Sequence, residues 1–483
     1  MTHPSPPGDW LESRRDRHPQ AEALSGSQTL CYATLVAETS SLAAGLVARG
    51  VVAGEVVAVQ LSSAWQVARL FYAALHLGIT FLPLDPGVLT ARRSRLLADV
   101  GCRTLVCRQA PAEQGLRWIA SDSLFSSHAT DAPAPVYHSK PLAGEQVQLI
   151  IATSGTTGAP KGVMLSADNL AASVAASRQR LDLQPGDTWL ACLPLFHIGG
   201  LAILLRCLAA GARVLLQEGF DADRVWREIA AGQVTHLSLV PAMLDRLLTV
   251  SAEQAPPAAL RVVLIGGGPL SRSLAQRAHA AGWPLCVSYG MSETASQFAT
   301  DCSPQAGMVP GRVGLPLDGY TVAIGDAGRI RVCGPAVMRG YANPAGVMGL
   351  GLDQGWFGTG DLGRLDEQGR LMIIGRADDL LVSGGKNIHP AEVEERLLQC
   401  PGVGTVGVTG RPDPVWGVAL VALFTGEMTP GELEQWARQH LPGHLRPREF
   451  VPVGVLPLNS MGKLSRPALQ ALLQRDASPS TGD

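Results

Sequence analysis

Residues Thr153 to Gly162 read TSGTTGAPKG, in which four hydroxylated side chains, three glycines and one lysine follow directly on the apolar run VQLIIA. Glycines leave backbone N–H groups bare, and bare amides with hydroxyls and a cation can close on a polyphosphate. Thr153, Ser154, Gly155, Thr156, Thr157, Gly158 and Lys161 are therefore candidate phosphate ligands. A Walker A loop is excluded, because it needs Gly-Lys-Ser/Thr and Lys161 is followed by Gly162. Taken alone, the stretch would also suit a plain surface loop.

Four further stretches carry chemistry. In SYGMSET, Ser288 to Thr294, Tyr289 offers a ring to a purine and Glu293 a carboxylate to magnesium, which takes carboxylate and phosphate oxygens. A helix start capped by Ser292 is the other reading. In GWFGTGDLGRL, Asp361 stands among glycines, and a carboxylate there can accept from both hydroxyls of a ribose; an aspartate in a tight turn would look the same. GRADDLLVSGGKNIHPAEVE carries Arg376, Asp378, Gly384, Gly385 and Lys386, and NSMGKLSR carries Lys463, which alone would pass for a solvated lysine. In LPLFHIGGLAILLR, His197 precedes Arg206 by nine residues. That arginine either snorkels at a helix end or faces a carboxylate.

The elements that must position these residues are short apolar runs bounded by turn residues: GEVVAVQL, LIIATSG, TWLACLPL, ARVLLQ, HLSLVP and RVVLIGGG. Stretches of helical periodicity separate several of them, which predicts parallel sheets covered on both faces. In RVVLIGGGPLSRSLAQRAHAAGW a strand breaks at Gly266 to Gly268 and a helix runs toward Gly282, so Gly267 and Gly268 fall at a strand's carboxyl end, where ligands gather. After GRADD the texture changes. PAEVEERLLQC begins with Pro390 and early glutamates, two strand-like runs follow, and Thr429 and Glu432 are spaced as a capping box. A small α+β domain is expected there, ending in a frayed tail, DASPSTGD.

The 483 residues, 46% of them hydrophobic, suffice for a large core and more than one domain. A net charge of -2 gives no reason to expect nucleic acid or an anionic membrane as a partner. Nine scattered cysteines without a CxxC pair argue against a disulfide framework or structural zinc and for a reducing cytoplasm. The first residues lack the apolar centre of a secretion signal. The most apolar stretch, LFHIGGLAILLRCLAAGARVLL, is broken by Arg206 and Arg213, and reads as a buried helix followed by a strand.

Together and in this order, the five stretches resemble the adenylate-forming superfamily of acyl-CoA synthetases, adenylation domains and luciferases, from RHPQAEAL to Leu469. The resemblance implies an α/β protein: a large N-terminal domain of helix-flanked sheets, residues 1–377, and a small mobile α+β C-terminal domain, residues 378–483, hinged at Asp378. It implies ATP, Mg2+ and coenzyme A as cofactors, a small carboxylic acid as substrate, and a homodimer as a possible state. Position by position, the loop to Lys161 would handle the β- and γ-phosphates, and Thr156 and Glu293 would help hold magnesium. Asp361 and Arg376 would hold the ribose. Gly267, Gly268, Ser288, Tyr289 and Gly290 would border the adenine and acyl pockets, and Lys463 would bridge the attacking carboxylate and the α-phosphate. Gly384, Gly385 and Lys386 would wall a pantetheine tunnel. LPLFHIGGLAILLRCLAAGA, YGMSETASQ and GVMGLGLDQGWFGTGDLG are also similar to the o-succinylbenzoate-CoA ligases of menaquinone synthesis. That likeness implies His197 as a gate to the acyl site, and Arg206 and Ser296 as partners of a second carboxylate, with one departure: Gly199 stands where a serine is expected. A broader aryl- or fatty-acyl-CoA synthetase and a protein loading a carrier protein stay open as alternatives.

Overall fold

The computed structural model describes residues 10–126, 144–154, 160–302, 309, 311–344, 346–458 and 464–476. A seven-stranded sheet begins with Val56–Gln60, parallel to Thr80–Pro83 on one side and Thr104–Cys107 on the other. The crossover helix Ala64–Leu77 starts at Ser63, whose hydroxyl accepts from the Gln66 amide, and stops at Gly78 in the left-handed region, φ 70°. At the sheet's other side Val147–Ser154 turns back antiparallel into Pro160–Ser166, with Thr153 opposite Lys161. The glycine-rich stretch thus joins two strands of a hairpin.

The second sheet has fourteen strands. Val262–Ile265, His236–Leu239, Thr188–Ala191 and Arg213–Leu216 run parallel beside Leu285–Met291, as their alternation with helices predicts. Beyond Leu285–Met291 the expectation of parallel strands fails. Ser296–Asp301 returns antiparallel after the single 3-10 turn Ser292–Thr294, a link too short for a parallel crossover. Arg312–Pro316, Leu371–Arg376 and Trp356–Leu365 continue the antiparallel half.

Gly290 lies where the two halves meet. A β-carbon there would stand 2.1 Å from the Ser296 carbonyl oxygen and 2.4 Å from Gln297 Cα, both backbone atoms unable to move aside. Gly290→Ala is expected to destabilise the protein by about 2–4 kcal/mol, since overpacking against fixed backbone exceeds the usual strain of an extra methyl. Thermal unfolding of the variant checks this; a melting point within about a degree of the parent would contradict it.

The expected buried helix and strand are Ile198–Ala210 and Arg213–Leu216. No helix among the described residues is long and apolar enough to cross a membrane. The smaller domain pairs Val403–Asp413 antiparallel with Gly417–Gly426, and that strand parallel with Glu449–Pro452. Val393, Leu397, Val408, Leu420, Phe424 and Leu433 form a core of its own. Thr429 and Glu432 make the predicted reciprocal capping box at the start of Pro430–His440. One contact from this domain to the larger sheet's helices runs from the Arg272 amide to Glu395 Oε1, 2.9 Å, a carboxylate at the amino end of Arg272–Ala280.

The cysteine expectation needs one correction. Cys286 and Cys302 are joined, because the antiparallel register that sets Val287 against Asp301 brings them opposite each other, 4.1 Å apart at Cα. The tail from Ala477 onward lies outside the described residues.

Candidate functional site

Asp361 sits inside the strand Trp356–Leu365, directly opposite Arg376 on Leu371–Arg376. The tight-turn reading is therefore wrong. Arg376 Nη1 lies 3.3 Å from Asp361 Oδ1, and its Nη2 3.4 Å from Asp378 Oδ2. The Tyr289 hydroxyl donates to Asp361 Oδ2 at 2.5 Å. Burial pushes the Tyr289 phenol up and Asp361 adds to it, so the group stays a donor. Burial draws Arg376 down, but Asp361, Asp378 and Asp379 outweigh it and hold the guanidinium above its ordinary range. Beside this cluster Ile265 pairs with Val287, so Gly266 to Gly268, just past the carboxyl end of their strand, follow on next to Ser288 inside Leu285–Met291. Ser288 donates to the Ile265 carbonyl, 2.9 Å, and Gly267 takes a φ of 79°, which a side chain would strain.

Lys161 and Glu293 meet through a residue that the sequence did not single out. The Lys161 ammonium stands 4.9 Å from the Tyr341 ring centroid, and the Tyr341 hydroxyl donates to Glu293 Oε1 at 2.7 Å. Burial and then Glu293 push that phenol well up. Glu293 belongs to the 3-10 turn Ser292–Thr294, whose cap position is Met291, so the helix start capped by Ser292 is not formed. Among the described residues no three His, Cys, Asp or Glu side chains cluster as a metal cage. Magnesium, however, takes one or two carboxylates and fills its shell with phosphate oxygens and water, so a carboxylate such as Glu293 does not need two more beside it. Thr153 donates from its hydroxyl to the Lys161 carbonyl, 3.3 Å. Gly155, Thr156, Thr157, Gly158 and Lys463 lie outside the described residues, as does the Ser154 side chain.

Arg206 lies within the helix Ile198–Ala210 and is 1% exposed, which excludes snorkelling. Its Nη2 donates to Ser296 Oγ at 2.9 Å, its guanidinium stands 5.5 Å from the Trp189 ring, and its Nε has no hydrogen-bond partner among the described residues. No acidic side chain forms an ion pair with it among the described residues. Burial pushes it down to about 10, so it keeps its charge at neutral pH. His197 occupies the cap position of the same helix, with its ring 4.6 Å from Phe196. At Gly199 a β-carbon would meet Leu193 at 3.6 Å, an ordinary contact, so glycine in place of the expected serine is not forced by crowding. The ribbon Leu285–Asp301 ties the three groups together: Tyr289 reaches Asp361, Glu293 reaches Tyr341 and Ser296 reaches Arg206.

On the smaller domain, Leu381–Ser383 and Lys386–Ile388 form a two-residue hairpin through Gly384 and Gly385, both at positive φ, 55° and 74°. A β-carbon on Gly384 would stand 2.8 Å from the Trp416 ring. The turn borders a cavity of about 330 Å³ that Lys386, Trp416, His444, Arg446 and Arg448 also line. Arg448 lies 4.3 Å over the Trp416 ring. Sequence reasoning named Lys386 but missed Trp416, His444, Arg446 and Arg448, although the pair of arginines in HLRPREF was a visible signal.

A large α/β domain with polar clusters beyond parallel strand ends, joined to a small α+β domain with a cationic cavity, is the layout of a nucleotide-using ligase. The chain belongs to the AMP-binding enzyme family: the family's model matches residues 11–342, and that of the AMP-binding enzyme C-terminal domain matches residues 392–463. The 2-succinylbenzoate–CoA ligase of Geobacillus kaustophilus is 35% identical, over 97% of this chain and 98% of its own. o-Succinylbenzoate CoA synthetase of Bacillus subtilis, solved with its acyl-adenylate intermediate, is 32% identical with a TM-score of 0.86, covering 97% of this chain and 99% of that one. ATP-bound MatB of Rhodopseudomonas palustris has a TM-score of 0.87 at 27% identity, covering 98% and 100%.

Proposed function

We propose that this protein is an ATP-dependent carboxylate-CoA ligase that works through an acyl-adenylate, and that its acid is o-succinylbenzoate, as in menaquinone synthesis. The observation that carries the choice of acid is Arg206. A buried, charged guanidinium with no carboxylate partner among the described residues leaves a large desolvation penalty uncompensated, and a ligand carboxylate is the group that would offset it. Ser296, which already accepts from Nη2, would help fix the same end of the substrate. The relatives named 2-succinylbenzoate–CoA ligase, similar over nearly the full length, support this reading.

The chemistry needs cations, because a carboxylate must attack a phosphate that is itself anionic. Lys161 supplies one, on the hairpin with Thr153 and Ser154. Glu293 is the side chain for magnesium with Thr156, and the ion, when bound, neutralises phosphate charge. Tyr341 holds Glu293 by hydrogen bond and underlies Lys161, and so positions both. Asp361, held by Tyr289 at one oxygen and by Arg376 at the other, has further lone pairs with which it would accept from the ribose hydroxyls. Gly267, Gly268, Ser288 and Gly290 line the adenine, and His197 gates the acyl end. Coenzyme A carries several phosphates, which suits the cavity of Lys386, Arg446 and Arg448 beside the Gly384–Gly385 turn. An enzyme that consumes ATP and coenzyme A works in the cytoplasm, where both are supplied.

We take residues 1–377 and 378–483 as the two domains and Asp378 as the hinge between their two working orientations. Asp378 is tied to Arg376 before the boundary, whereas its neighbour Asp379 is tied to Arg466 beyond it, 3.4 Å in each case. Asp378→Pro, which fixes φ, is expected to leave acyl-adenylate formation within about threefold and to slow thioester formation at least about tenfold, the pattern of a blocked conformational step. Asp378→Ala controls for the lost ion pair. Equal loss of both half-reactions in the proline variant would place the hinge elsewhere.

The functional assignment is tested by pyrophosphate release with ATP, magnesium and coenzyme A over a panel of o-succinylbenzoate, benzoates and fatty acids, with the thioester identified by mass. Selectivity for o-succinylbenzoate is expected. Preference for a monocarboxylate would keep the adenylation chemistry and return Arg206 to a structural role. Transfer to a carrier protein's phosphopantetheine without coenzyme A would indicate the carrier-loading alternative.

A further inference from the structure

Behind Arg206 stands a layer of the core that the reaction does not use. Trp189, on the strand Thr188–Ala191, is fully buried, with its ring 5.5 Å from the guanidinium carbon. Its indole N–H donates to Ser238 Oγ at 3.1 Å, which locks the ring plane. On the neighbouring strand His236 stands 5.2 Å from the same ring, inclined at 33°. His236 is held at both nitrogens, by Thr235 Oγ1 at 2.8 Å and the Leu181 carbonyl at 3.0 Å. Burial holds its pKa down, so no second positive charge stands behind the indole.

A tryptophan so deep in a parallel strand would ordinarily be read as packing. What sets it apart is the partner it faces, a charged group that donates to the Ser296 hydroxyl and pairs with no carboxylate among the described residues. In such a place the negative face of an indole is a main source of stabilisation, and its rigidity decides where the charge sits. We infer that Trp189 is a specificity-determining positioning residue: its ring, fixed by Ser238, carries the Arg206 guanidinium in register for the second carboxylate of the substrate. The inference rests on the reading of Arg206 given above. It adds a residue that does not touch the substrate yet sets the preference for a dicarboxylate over a monocarboxylate.

The test compares Trp189→Leu, Trp189→Phe and Arg206→Leu by kcat/KM for o-succinylbenzoate divided by kcat/KM for benzoate. Trp189→Leu is expected to lower that ratio about tenfold, through KM for o-succinylbenzoate rather than kcat, while Trp189→Phe, which keeps an aromatic face, holds it within about threefold. To keep the test independent of how well a leucine folds in this core, a second measurement uses the parent protein grown with 5-fluorotryptophan. Fluorine weakens the negative face without changing the fold, so the ratio should fall about threefold in the parent and stay fixed in Trp189→Phe. A ratio unmoved by Trp189→Leu or by fluorination, with Arg206→Leu still collapsing it, would overturn the role of Trp189 and leave the reading of Arg206 standing. A ratio unmoved by Arg206→Leu would overturn both.

Discussion

Replacing Arg206 by leucine is expected to lower kcat/KM for o-succinylbenzoate by about 10² to 10³, and for benzoate by less than about tenfold. The size follows from removing one partner of a desolvated charge pair, about 2–5 kcal/mol, at about 1.4 kcal/mol per factor of ten. The asymmetry follows from geometry, since benzoate has no second carboxylate to lose its partner. Stability should move the other way or not at all. In the free protein Arg206 is buried with no acidic partner among the described residues, so an apolar side chain of similar reach relieves a charge that only the ligand would neutralise. Thermal unfolding with and without o-succinylbenzoate separates the two effects: the variant should melt no lower than the parent when free, and lose the ligand-induced rise. Arg206→Lys keeps the charge but not the planar fork and should fall between the two. Equal loss for every acid, with a lower melting point, would make the arginine a structural element.

How much of this was legible in the sequence depends on how locally each feature is encoded. The strand that leads into the glycine-rich stretch, the helix that buries Arg206 and the Thr429–Glu432 capping box are all set by neighbouring residues, and all could be read from apolar runs and turn residues, whereas the return strand that makes Thr153 and Lys161 partners in a hairpin could not. Nor could the reversal after Leu285–Met291. A strand followed by Ser292 and Glu293 looks like the start of a helix, and only the tertiary pairing of Ser296–Asp301 decides otherwise. From that one missed reversal came two others. The bridge between Cys286 and Cys302 needs the antiparallel register, and so does the crowding that excludes a β-carbon at Gly290. Tyr341 was invisible for a different reason. It belongs to a two-residue strand at the edge of the seven-stranded sheet, 48 residues from Glu293, with no periodicity to mark its direction. Trp189 was read as part of a buried strand, but that it faces Arg206 depends on how the following helix packs.

Lys463→Ala is expected to slow acyl-adenylate formation by about 10³ while leaving thioester formation from supplied acyl-adenylate within about threefold. Lys463 lies outside the described residues, but its attachment does not. Leu458 pairs with Leu464, the Ser465 amide donates to the Pro457 carbonyl at 2.8 Å, and Arg466 is anchored by Glu394 and Asp379. The chain on either side of Lys463 is thus held by the smaller domain, whereas Lys161 belongs to the large one, and on the proposed hinge the lysine would move with the smaller domain. In the first half-reaction two anions meet, and removing a cation aimed at the charge that grows between them typically slows such a step by about 10² to 10³. The larger value is expected here because Lys463 would touch both anions. In the second half-reaction a thiol attacks the acyl carbonyl, so charge grows first on the carbonyl oxygen and then on the departing AMP, and no second anion has to approach the α-phosphate. A domain that has turned to present Gly384, Gly385 and Lys386 has withdrawn Lys463, so its loss should pass unnoticed. Single-turnover measurements of the two steps provide the check, with Lys161→Ala as the contrast: a cation fixed on the large domain's hairpin should be missed in adenylation whichever way the small domain faces. Equal slowing of both steps by Lys463→Ala would mean that the lysine never leaves the site, and that the two half-reactions share one domain orientation.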